Sequence, residues 1–168
     1  GYIGSHIAEN LIKKKRSVFI VDNLSTGHRR LIHKKAKFFK ADINDKKKIR
    51  SIILKYKIKS IIHLAGSLII EEGEKYPKKY YKNNVTGTKN LILSCANSKV
   101  KNFIFSSTAA VYKDGLNKVT EQSIARPKSV YGKTKLSAEK IIIRNCKKNN
   151  FNYGILRYFN IVGSSNSG

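Results

Sequence analysis

A tyrosine and a lysine lie four residues apart at the start of a segment that predicts a helix. Tyr131 and Lys135 open this segment, which runs to about Lys148. Residues i and i+4 share one face of a helix, so the phenol and the ammonium can point at the same place. A nearby cation stabilises a phenolate and lowers the pKa of a tyrosine from about 10 toward neutral pH, which suits a general base. The spacing alone is unspecific, because nine tyrosines and 28 lysines in 168 residues give about 1.5 such pairs by chance.

Polar or small residues close the apolar runs that predict strands. The run over 102–108 ends in hydroxyls, with Thr108 last. In a doubly wound parallel sheet, ligands bind beyond the carboxyl ends of the strands. The residues at those ends are therefore candidate site residues: Asp22, Asp42, Gly66, Thr108 and Asn160.

The beginning of the chain has the spacing of a dinucleotide-binding motif. Gly1 and Gly4 precede a predicted helix over 7–15, and the following strand over 17–22 ends in Asp22. Glycines that open a helix, followed about 20 residues later by an acidic strand end, form the second half of a dinucleotide-binding βαβ unit. Gly1 would let the backbone approach a pyrophosphate at the helix N-terminus, and Gly4 would let helix and strand pack closely. Asp22 would bind the adenosine ribose and repel a 2′-phosphate, which favours NAD over NADP. By itself, a Gly-x-x-Gly is more typical of a plain turn.

The remaining elements alternate along the chain. Because strands alternate with helices at the spacing of βα units, the sequence predicts an α/β fold with a doubly wound, Rossmann-like parallel sheet. Asp42 and Ile43 could border an adenine, Gly66 could let a cofactor lie against the backbone, and His63 is typical of a core histidine. Loops are expected over 23–28 and 115–127. Predicted strands cover 17–22, 37–43, 60–66, 102–108 and 153–160, and predicted helices cover 7–15, 46–55, 76–97 and 131–148.

The composition bounds the class of protein. The 168 residues fit one domain, with neither a membrane-spanning apolar run nor a signal-peptide pattern, so we expect a soluble, cytoplasmic protein. The net charge of +25 comes from dispersed lysines that rise together with Ile and Asn, as A/T-rich codons would produce. No nucleic-acid-binding motif accompanies the charge, so we expect a solvated basic surface and no specific nucleic-acid partner. Cys95 and Cys146 lie far apart without a His/Cys cluster, which predicts two buried thiols and no metal site.

Seven short motifs together resemble the extended short-chain dehydrogenase/reductase family, and within it the nucleotide-sugar 4-epimerases. They occur in the family's order and span essentially the whole chain, so their combination is highly specific. The motifs are Gly-Tyr-Ile-Gly-Ser-His (1–6), Val-Asp-Asn-Leu-Ser-Thr-Gly (21–27), Ile-His-Leu-Ala-Gly (62–66), Asn-Asn-Val-Thr-Gly-Thr (83–88), Phe-Ser-Ser-Thr-Ala-Ala-Val-Tyr (105–112), Tyr-Gly-Lys-Thr-Lys (131–135) and Arg-Tyr-Phe-Asn (157–160).

The resemblance implies a set of site residues. Thr108, Tyr131 and Lys135 would form a catalytic trio, of which Thr108 and Tyr131 also touch the substrate. Asn160 would face the nucleotide sugar, and Phe159 would lie beside the nicotinamide. Together with the glycine motif, the resemblance gives these NAD-binding residues: Gly1, Tyr2, Ile3, Gly4, Asp22, Asn23, Leu24, Ser25, Thr26, Gly27, Asp42, Ile43, Leu64, Ala65, Gly66, Ser67, Asn83, Ser106, Tyr131, Lys135 and Phe159.

The implied activity is the NAD-dependent 4-epimerisation of a UDP-hexose, UDP-glucose or UDP-galactose, through a transient 4-keto sugar. Tyr131, held as phenolate by Lys135 and by the positive charge of the nicotinamide, would remove the proton of the sugar 4-OH, and Thr108 would bind that oxygen or relay the proton. Ala109 and Ala110 follow Thr108 where related dehydratases carry Asp and Glu, which disfavours water elimination. The alternatives are another nucleotide-sugar epimerase or decarboxylase of the same family, or an inactive truncated product.

Compared with the family pattern, the chain begins after the first strand and stops before the half that binds UDP. We therefore expect 1–168 to be a partial NAD-binding domain, with the C-terminal substrate-binding domain absent. The missing strand would lie between the strands that end at Asp22 and Gly66, so both would present unpaired apolar edges and these residues alone would fold poorly. Family members often dimerise through the helices near Tyr76 and Tyr131, which suggests a homodimer.

Overall fold

The strands of the computed structural model are parallel, as the sequence predicts. The structure describes residues 1–115 and 118–164, so residues 116–117 of the predicted loop over 115–127 lie outside the described residues. A strand lies within each of the five predicted segments, and all the strand pairs run parallel, which confirms the α/β, Rossmann-like fold class. The strands are β1 (Phe19–Asp22), β2 (Lys37–Lys40), β3 (Ser60–His63), β4 (Asn102–Thr108) and β5 (Asn152–Tyr158).

The five strands form two separate sheets. β1 pairs with β2, while β3, β4 and β5 form a three-stranded sheet in the order β3-β4-β5. Within the described residues β1 and β3 do not pair, so each has one edge without a strand partner. Ile20 in β1 and Ile61 in β3 are only half-buried, whereas inner strands of a parallel sheet are normally buried on both faces. The division lies between β1 and β3, where the sequence predicts that a strand is missing.

Six α-helices flank the sheets, and two predicted helices differ from those observed. They are α1 (Tyr2–Lys13), α2 (Lys46–Lys55), α3 (Ile70–Lys75), α4 (Pro77–Tyr80), α5 (Gly87–Ser94) and α6 (Val130–Asn149) among the residues described. α1 begins at Tyr2 and not at Ile7, because Gly1 is its N-cap and accepts the Ser5 N–H at 3.0 Å. The predicted helix over 76–97 consists of α4, a π-helical segment (Tyr81–Thr86) and α5. The sequence did not predict α3.

Three strands end earlier than predicted, among them β5, which ends at Tyr158 and not at Asn160. β2 ends at Lys40 and not at Ile43, and β3 ends three residues before Gly66. The Asp42 carboxylate accepts the Asn44 backbone N–H at 2.7 Å, which turns the chain after β2. The candidate residues after β2 and β3 therefore lie in loops at the carboxyl edge.

The main core lies between the β3-β4-β5 sheet and helices α2, α5 and α6. His63 lies in it with 2% exposure, and burial lowers the pKa of this imidazole to about 3, which confirms a neutral core histidine. Cys95 and Cys146 are buried free thiols, as predicted. No helix within the described residues is long and apolar enough to cross a membrane. The core residues are Ile49, Ile53, Leu91, Ile92, Cys95, Val100, Phe103, Phe105, Ala138, Ile142 and Cys146.

Candidate active site

The first turn of α6 is pressed against the turn that follows β4. Ser129 caps the helix by accepting the Gly132 N–H at 3.1 Å. A Cβ on Gly132 would collide with the carbonyl oxygen of Ala110, so the close approach requires glycine. Because Ala110 follows Thr108 by two residues, this contact brings the end of β4 next to Tyr131.

The Thr108 hydroxyl and the Tyr131 phenol meet at this contact. Burial raises the pKa of Tyr131, and the hydrogen bond with Thr108 acts in the opposite direction. Thr108 Oγ1 also accepts the Ala110 N–H at 3.2 Å, which fixes the hydroxyl at the strand end. The expectation that Lys135 lowers the pKa of Tyr131 does not hold in this structure. Burial is the largest influence, so the phenol is protonated at neutral pH.

Lys135 lies one turn further along α6 and points at β4. It is 5% exposed, its Nζ donates to the Ser106 carbonyl at 2.6 Å, and the same nitrogen lies 4.6 Å from the centre of the Phe105 ring. Burial lowers the pKa of Lys135 to about 8, and the charge of Glu139 acts against this. The ammonium is therefore still charged at pH 7, and it is held by the strand end and not by the phenol.

The loop after β3 reaches the same place. A Cβ on Gly66 would lie 3.7 Å from Lys135 Nζ and 3.1 Å from Asn84 Oδ1. Asn84 holds this loop with two bonds, since its Oδ1 accepts the Ser67 N–H at 2.8 Å and its Nδ2 donates to the Ser67 carbonyl at 3.0 Å. Asn83, which the resemblance places against NAD, donates to Ser67 Oγ at 3.0 Å. The loop is thus fixed beside the lysine.

Sequence reasoning missed Asn84. Its Nδ2 also lies 3.1 Å from Thr134 Oγ1, so one buried side chain joins the π-helical segment to α6 between Tyr131 and Lys135. Asparagine disfavours a helix interior unless its side chain has a partner. That preference, at the second of two asparagines inside a predicted helix, is the signal that could have found it.

Asp22 lies where the sequence predicts a ribose-binding carboxylate. Oδ1 accepts the Leu24 N–H at 2.7 Å, and Leu24 has a left-handed φ of 61°. A Cβ on Gly27 would lie 2.9 Å from Asp22 Oδ2, so glycine lets the loop fold back over the carboxylate. The Gly1 nitrogen at the start of α1 is 3.7 Å from the same oxygen. The carboxylate and the helix N-terminus are therefore neighbours.

The loops after β1 and β2 are joined to each other. Asn23 Nδ2 donates to Asp42 Oδ2 at 2.9 Å. The Asn44 backbone N–H and the bond from Asn23 lower the pKa of Asp42, so this carboxylate is charged at neutral pH. The remaining predicted loop residues, Ser25, Thr26 and Ile43, belong to these two loops.

The residues after β5 lie at the same edge but are exposed. Thr108 in β4 is the register partner of Tyr158 in β5, so Phe159 and Asn160 follow directly beside the candidate trio. Phe159 is 67% exposed. The Tyr2 hydroxyl donates to the Gly163 carbonyl, which brings the start of α1 to this segment. Phe159 and Asn160 are thus placed at the site, without packing against it.

The arrangement fits NAD at three points. A helix N-terminus lies beside a carboxylate, as a pyrophosphate and a ribose require. The Gly66 loop leaves a backbone surface beside the Lys135 ammonium. A Cβ on Gly4 would meet Leu64 Cδ1 at 3.4 Å, an ordinary contact, so the close packing expected of Gly4 is not required here. Leu64, Ala65 and Ser67 belong to the loop that carries Gly66.

One family model matches the whole chain. It is the NAD dependent epimerase/dehydratase family, and the match covers residues 1–168. The chain belongs to this family. NAD is therefore the cofactor of the group, as predicted.

Curated proteins and solved structures agree with this membership. The UDP-glucose 4-epimerase of Lactobacillus helveticus is 40% identical over 171 residues, which cover 100% of this chain and 51% of that protein. The structure of a UDP-glucose 4-epimerase from Brucella ovis in complex with NAD has a TM-score of 0.89 and 36% identity, covering 94% of this chain and 49% of that one. The structure of a UDP-glucose 4-epimerase with UDP-glucose from Thermotoga maritima has a TM-score of 0.92 and 31% identity, covering 97% of this chain and 54% of that one.

These likenesses confirm the resemblance to nucleotide-sugar 4-epimerases that the motifs indicate. The chain spans about half the length of the relatives it matches. The activity and substrate of those longer proteins come to this chain only as proposals.

Proposed function

We propose that the protein containing these residues interconverts the two C4 epimers of a UDP-hexose, UDP-glucose and UDP-galactose, with NAD as a tightly held cofactor. One observation carries the proposal. Thr108, Tyr131 and Lys135 come from a strand end and two turns of one helix, and a Cβ on Gly66, in the loop of the dinucleotide side, would lie 3.7 Å from Lys135 Nζ. The likeness to UDP-glucose 4-epimerases over the whole chain supports it.

The residues of the trio act on the sugar 4-OH. In its phenolate form Tyr131 takes the hydroxyl proton and later returns it, and Thr108 binds the same oxygen. Thr108 is the group of this chain that acts against burial to favour the phenolate, and the positive charge that NAD would supply acts in the same direction. When bound, NAD would supply the acceptor of the C4 hydride and its return to the opposite face of the sugar. Proton and hydride are both restored, so the reaction needs no net oxidant.

The NAD contacts proposed from the sequence remain part of this proposal. Asp22 would bind the adenosine ribose and Asp42 with Ile43 the adenine. Gly1 to Gly4 would face the pyrophosphate, and the Gly66 loop with Phe159 the nicotinamide half. Residues 1–168 would form part of the NAD-binding domain, and the UDP-binding half would lie outside them.

The substrate and its surroundings are proposed with this function. Asn160 would face the UDP-sugar. Ala109 and Ala110 leave no acid next to Thr108, so an epimerase is favoured over a dehydratase. We also propose a homodimer and a cytoplasmic location, with a basic surface that has no specific nucleic-acid partner. Another nucleotide sugar, such as a UDP-glucuronate, is the closest alternative.

The test compares the Tyr131→Phe variant with the parent. Both are prepared as the full-length protein that contains these residues, with NAD bound. Loss of a general base typically costs about 10²–10⁴-fold in rate, so UDP-galactose conversion should fall by that factor while the Kd for NAD is unchanged. Tyr153→Phe, at a tyrosine that is 41% exposed on β5, is the matched control and should keep the parent rate.

Three outcomes would redirect the proposal. Appreciable conversion by Tyr131→Phe would remove Tyr131 from its role. Turnover of UDP-glucuronate in preference to UDP-galactose would select the neighbouring activity. Salt-sensitive nucleic-acid binding without NAD binding would favour an inactive, basic binding protein.

A further inference from the structure

Glu139 is a buried carboxylate one turn beyond Lys135 on α6. It is 2% exposed, and it faces the sheet and not solvent. Arg157 on β5 binds it with both arms of the guanidinium, Nε at 3.0 Å from Oε1 and an Nη at 2.7 Å from Oε2. The Ser107 hydroxyl on β4 donates to Oε1 as well. Three elements, α6, β4 and β5, therefore meet at one carboxylate.

The buried carboxylate of Glu139 calls for a physical explanation. Removing a carboxylate from water is unfavourable, and a buried ion pair is often no more stabilising than apolar residues of similar volume. Ala138 and Ile142 beside Glu139 on the same helix are core residues, so an apolar side chain at this position would suit the surroundings. Stability alone therefore accounts poorly for Glu139.

The neighbours of the cluster are the candidate catalytic residues. Ser107 precedes Thr108 on β4, and Lys135 precedes Glu139 by four residues, which places both on one face of α6. The Lys135 ammonium is itself bound to the carbonyl of Ser106. Fixing Glu139 to β4 and β5 thus fixes the helix turn of Lys135 against the strand end of Thr108.

We propose that Glu139 is a positioning residue of the candidate active site: held by Arg157 and Ser107, it fixes α6 against the ends of β4 and β5 and places its carboxylate one helical turn from Lys135. The role of Glu139 in the reaction rests on the proposed function. Its contacts with Arg157 and Ser107 and its negative charge do not depend on that function.

The charges around Lys135 support this assignment. Glu139 raises the pKa of Lys135 against the effect of burial, which leaves it at about 8. Among the described residues, Glu139 is the carboxylate that acts on the pKa of Lys135. His63 on β3 is neutral because burial lowers its pKa to about 3, Tyr131 is protonated, and Arg157 on β5 is a cation. Without Glu139, the ammonium would have only carbonyl and ring partners.

The experiment follows the protonation of Lys135 directly, on the full chain without nucleotide sugar. Buried lysine ammonium groups exchange slowly, so the ¹⁵N resonance of Lys135 Nζ can be assigned by its loss in Lys135→Arg and titrated with pH. In Glu139→Gln, which keeps the shape but removes the charge, we expect the midpoint to move to lower pH. The alkaline limb of the epimerisation rate should move down with it.

Glu9→Gln is the matched control. Glu9 and Lys13 form an i,i+4 pair at 2.6 Å on the surface of α1, so the same exchange far from the site should leave the Lys135 midpoint unchanged. Should Glu139→Gln not fold, Glu139→Asp keeps the charge but withdraws it by one methylene, and the midpoint should fall by less than full removal of the charge would cause.

The outcomes separate this inference from the proposed function. A folded Glu139→Gln whose Lys135 midpoint equals that of the parent would overturn the inference and leave Glu139 as a structural ion pair. A shifted midpoint in a protein that converts no UDP-hexose would overturn the proposed function alone.

Discussion

The two sheets of this molecule differ in how they are held together. The β3-β4-β5 sheet carries a continuous buried core with α2, α5 and α6, and the candidate trio is built directly on it. All four residues of β1 are only half-buried, and β2 has two exposed residues among its four. The first region fixes reactive groups by burial. The second presents carboxylates and a helix N-terminus on a more open support, which suits binding and not chemistry.

Matched truncations should show the largest difference between these regions. Ile142 on α6 is 0% exposed, whereas Ile20 on β1 is half-buried. Ile142→Ala should lower the free energy of unfolding by about 2–5 kcal/mol, because it opens a cavity that the core cannot fill. Ile20→Ala should cost about 1 kcal/mol, since less apolar surface is lost from the interior. Denaturant unfolding of the full chain measures both.

Equal losses in the two variants would contradict the comparison. They would mean that β1 belongs to the same cooperative core as β4 and α6.

The next largest effect is expected in how the stability of the β3-β4-β5 region depends on pH. His63 has a folded pKa of about 3 against an ordinary 6.5, so the unfolded chain binds more protons between these values. The contribution of His63 is therefore fully present above pH 6.5 and is lost as the pH falls toward 3. His63→Phe places an uncharged ring beside Phe103 and Phe105 and should remove a few kcal/mol of acid destabilisation over that window.

Denaturant midpoints at pH 7 and pH 4 measure this effect. At pH 7 the variant should be less stable than the parent by about 1 kcal/mol, because Thr88 Oγ1 loses its 2.8 Å bond with His63 Nε2 and keeps only the one that it donates to the Asn84 carbonyl. If the stability of the variant and that of the parent change equally between pH 7 and pH 4, His63 takes up its proton without unfolding the region.

The smallest effect on stability is expected at the loop of the smaller region. Gly27→Ala puts a methyl group 2.9 Å from Asp22 Oδ2, so the loop must shift to admit it. We expect the Kd for NAD to rise about tenfold, which is about 1.4 kcal/mol, with a melting temperature close to that of the parent. Calorimetric titration with NAD measures the first and a thermal melt the second.

Gly154→Ala, whose Cβ would lie 4.0 Å from its nearest neighbour on β4, is the control for the added methyl group. If Gly27→Ala unfolds the protein and leaves NAD affinity intact, the loop is structural and the contrast between the regions fails.

The sequence predicted the elements that position the site because short periodic signals set them. The α6 helix and the β4 strand were found with their functional ends, since an i,i+4 pair and a hydroxyl strand end need no long-range information. The division between β1 and β3 also lies where the motifs predict a missing strand. Asp22 is beside the start of α1, as the glycine spacing predicts, while its role in binding stays a prediction.

The residues that sequence reasoning missed depend on distant contacts. Asn84 lies in a π-helical segment, and its partners Ser67 and Thr134 are 17 and 50 positions away. Glu139 resembles any surface glutamate until β5 brings Arg157 against it. The expected effect of Lys135 on Tyr131 failed for the same kind of reason: the Ser106 carbonyl takes the ammonium, and no local pattern encodes that competition.

The π-helical segment has a consequence for how this fold tolerates insertions and deletions. Each helical residue turns the axis by about 100°, so deleting one residue there would restore an ordinary helix while rotating α4 relative to α5. Tyr80, which is 0% exposed, would swing away from its buried position, and the Asn84 amide would no longer face Ser67. Deleting a single residue of the π-helical segment would therefore break the link between the Ser67 loop and α6.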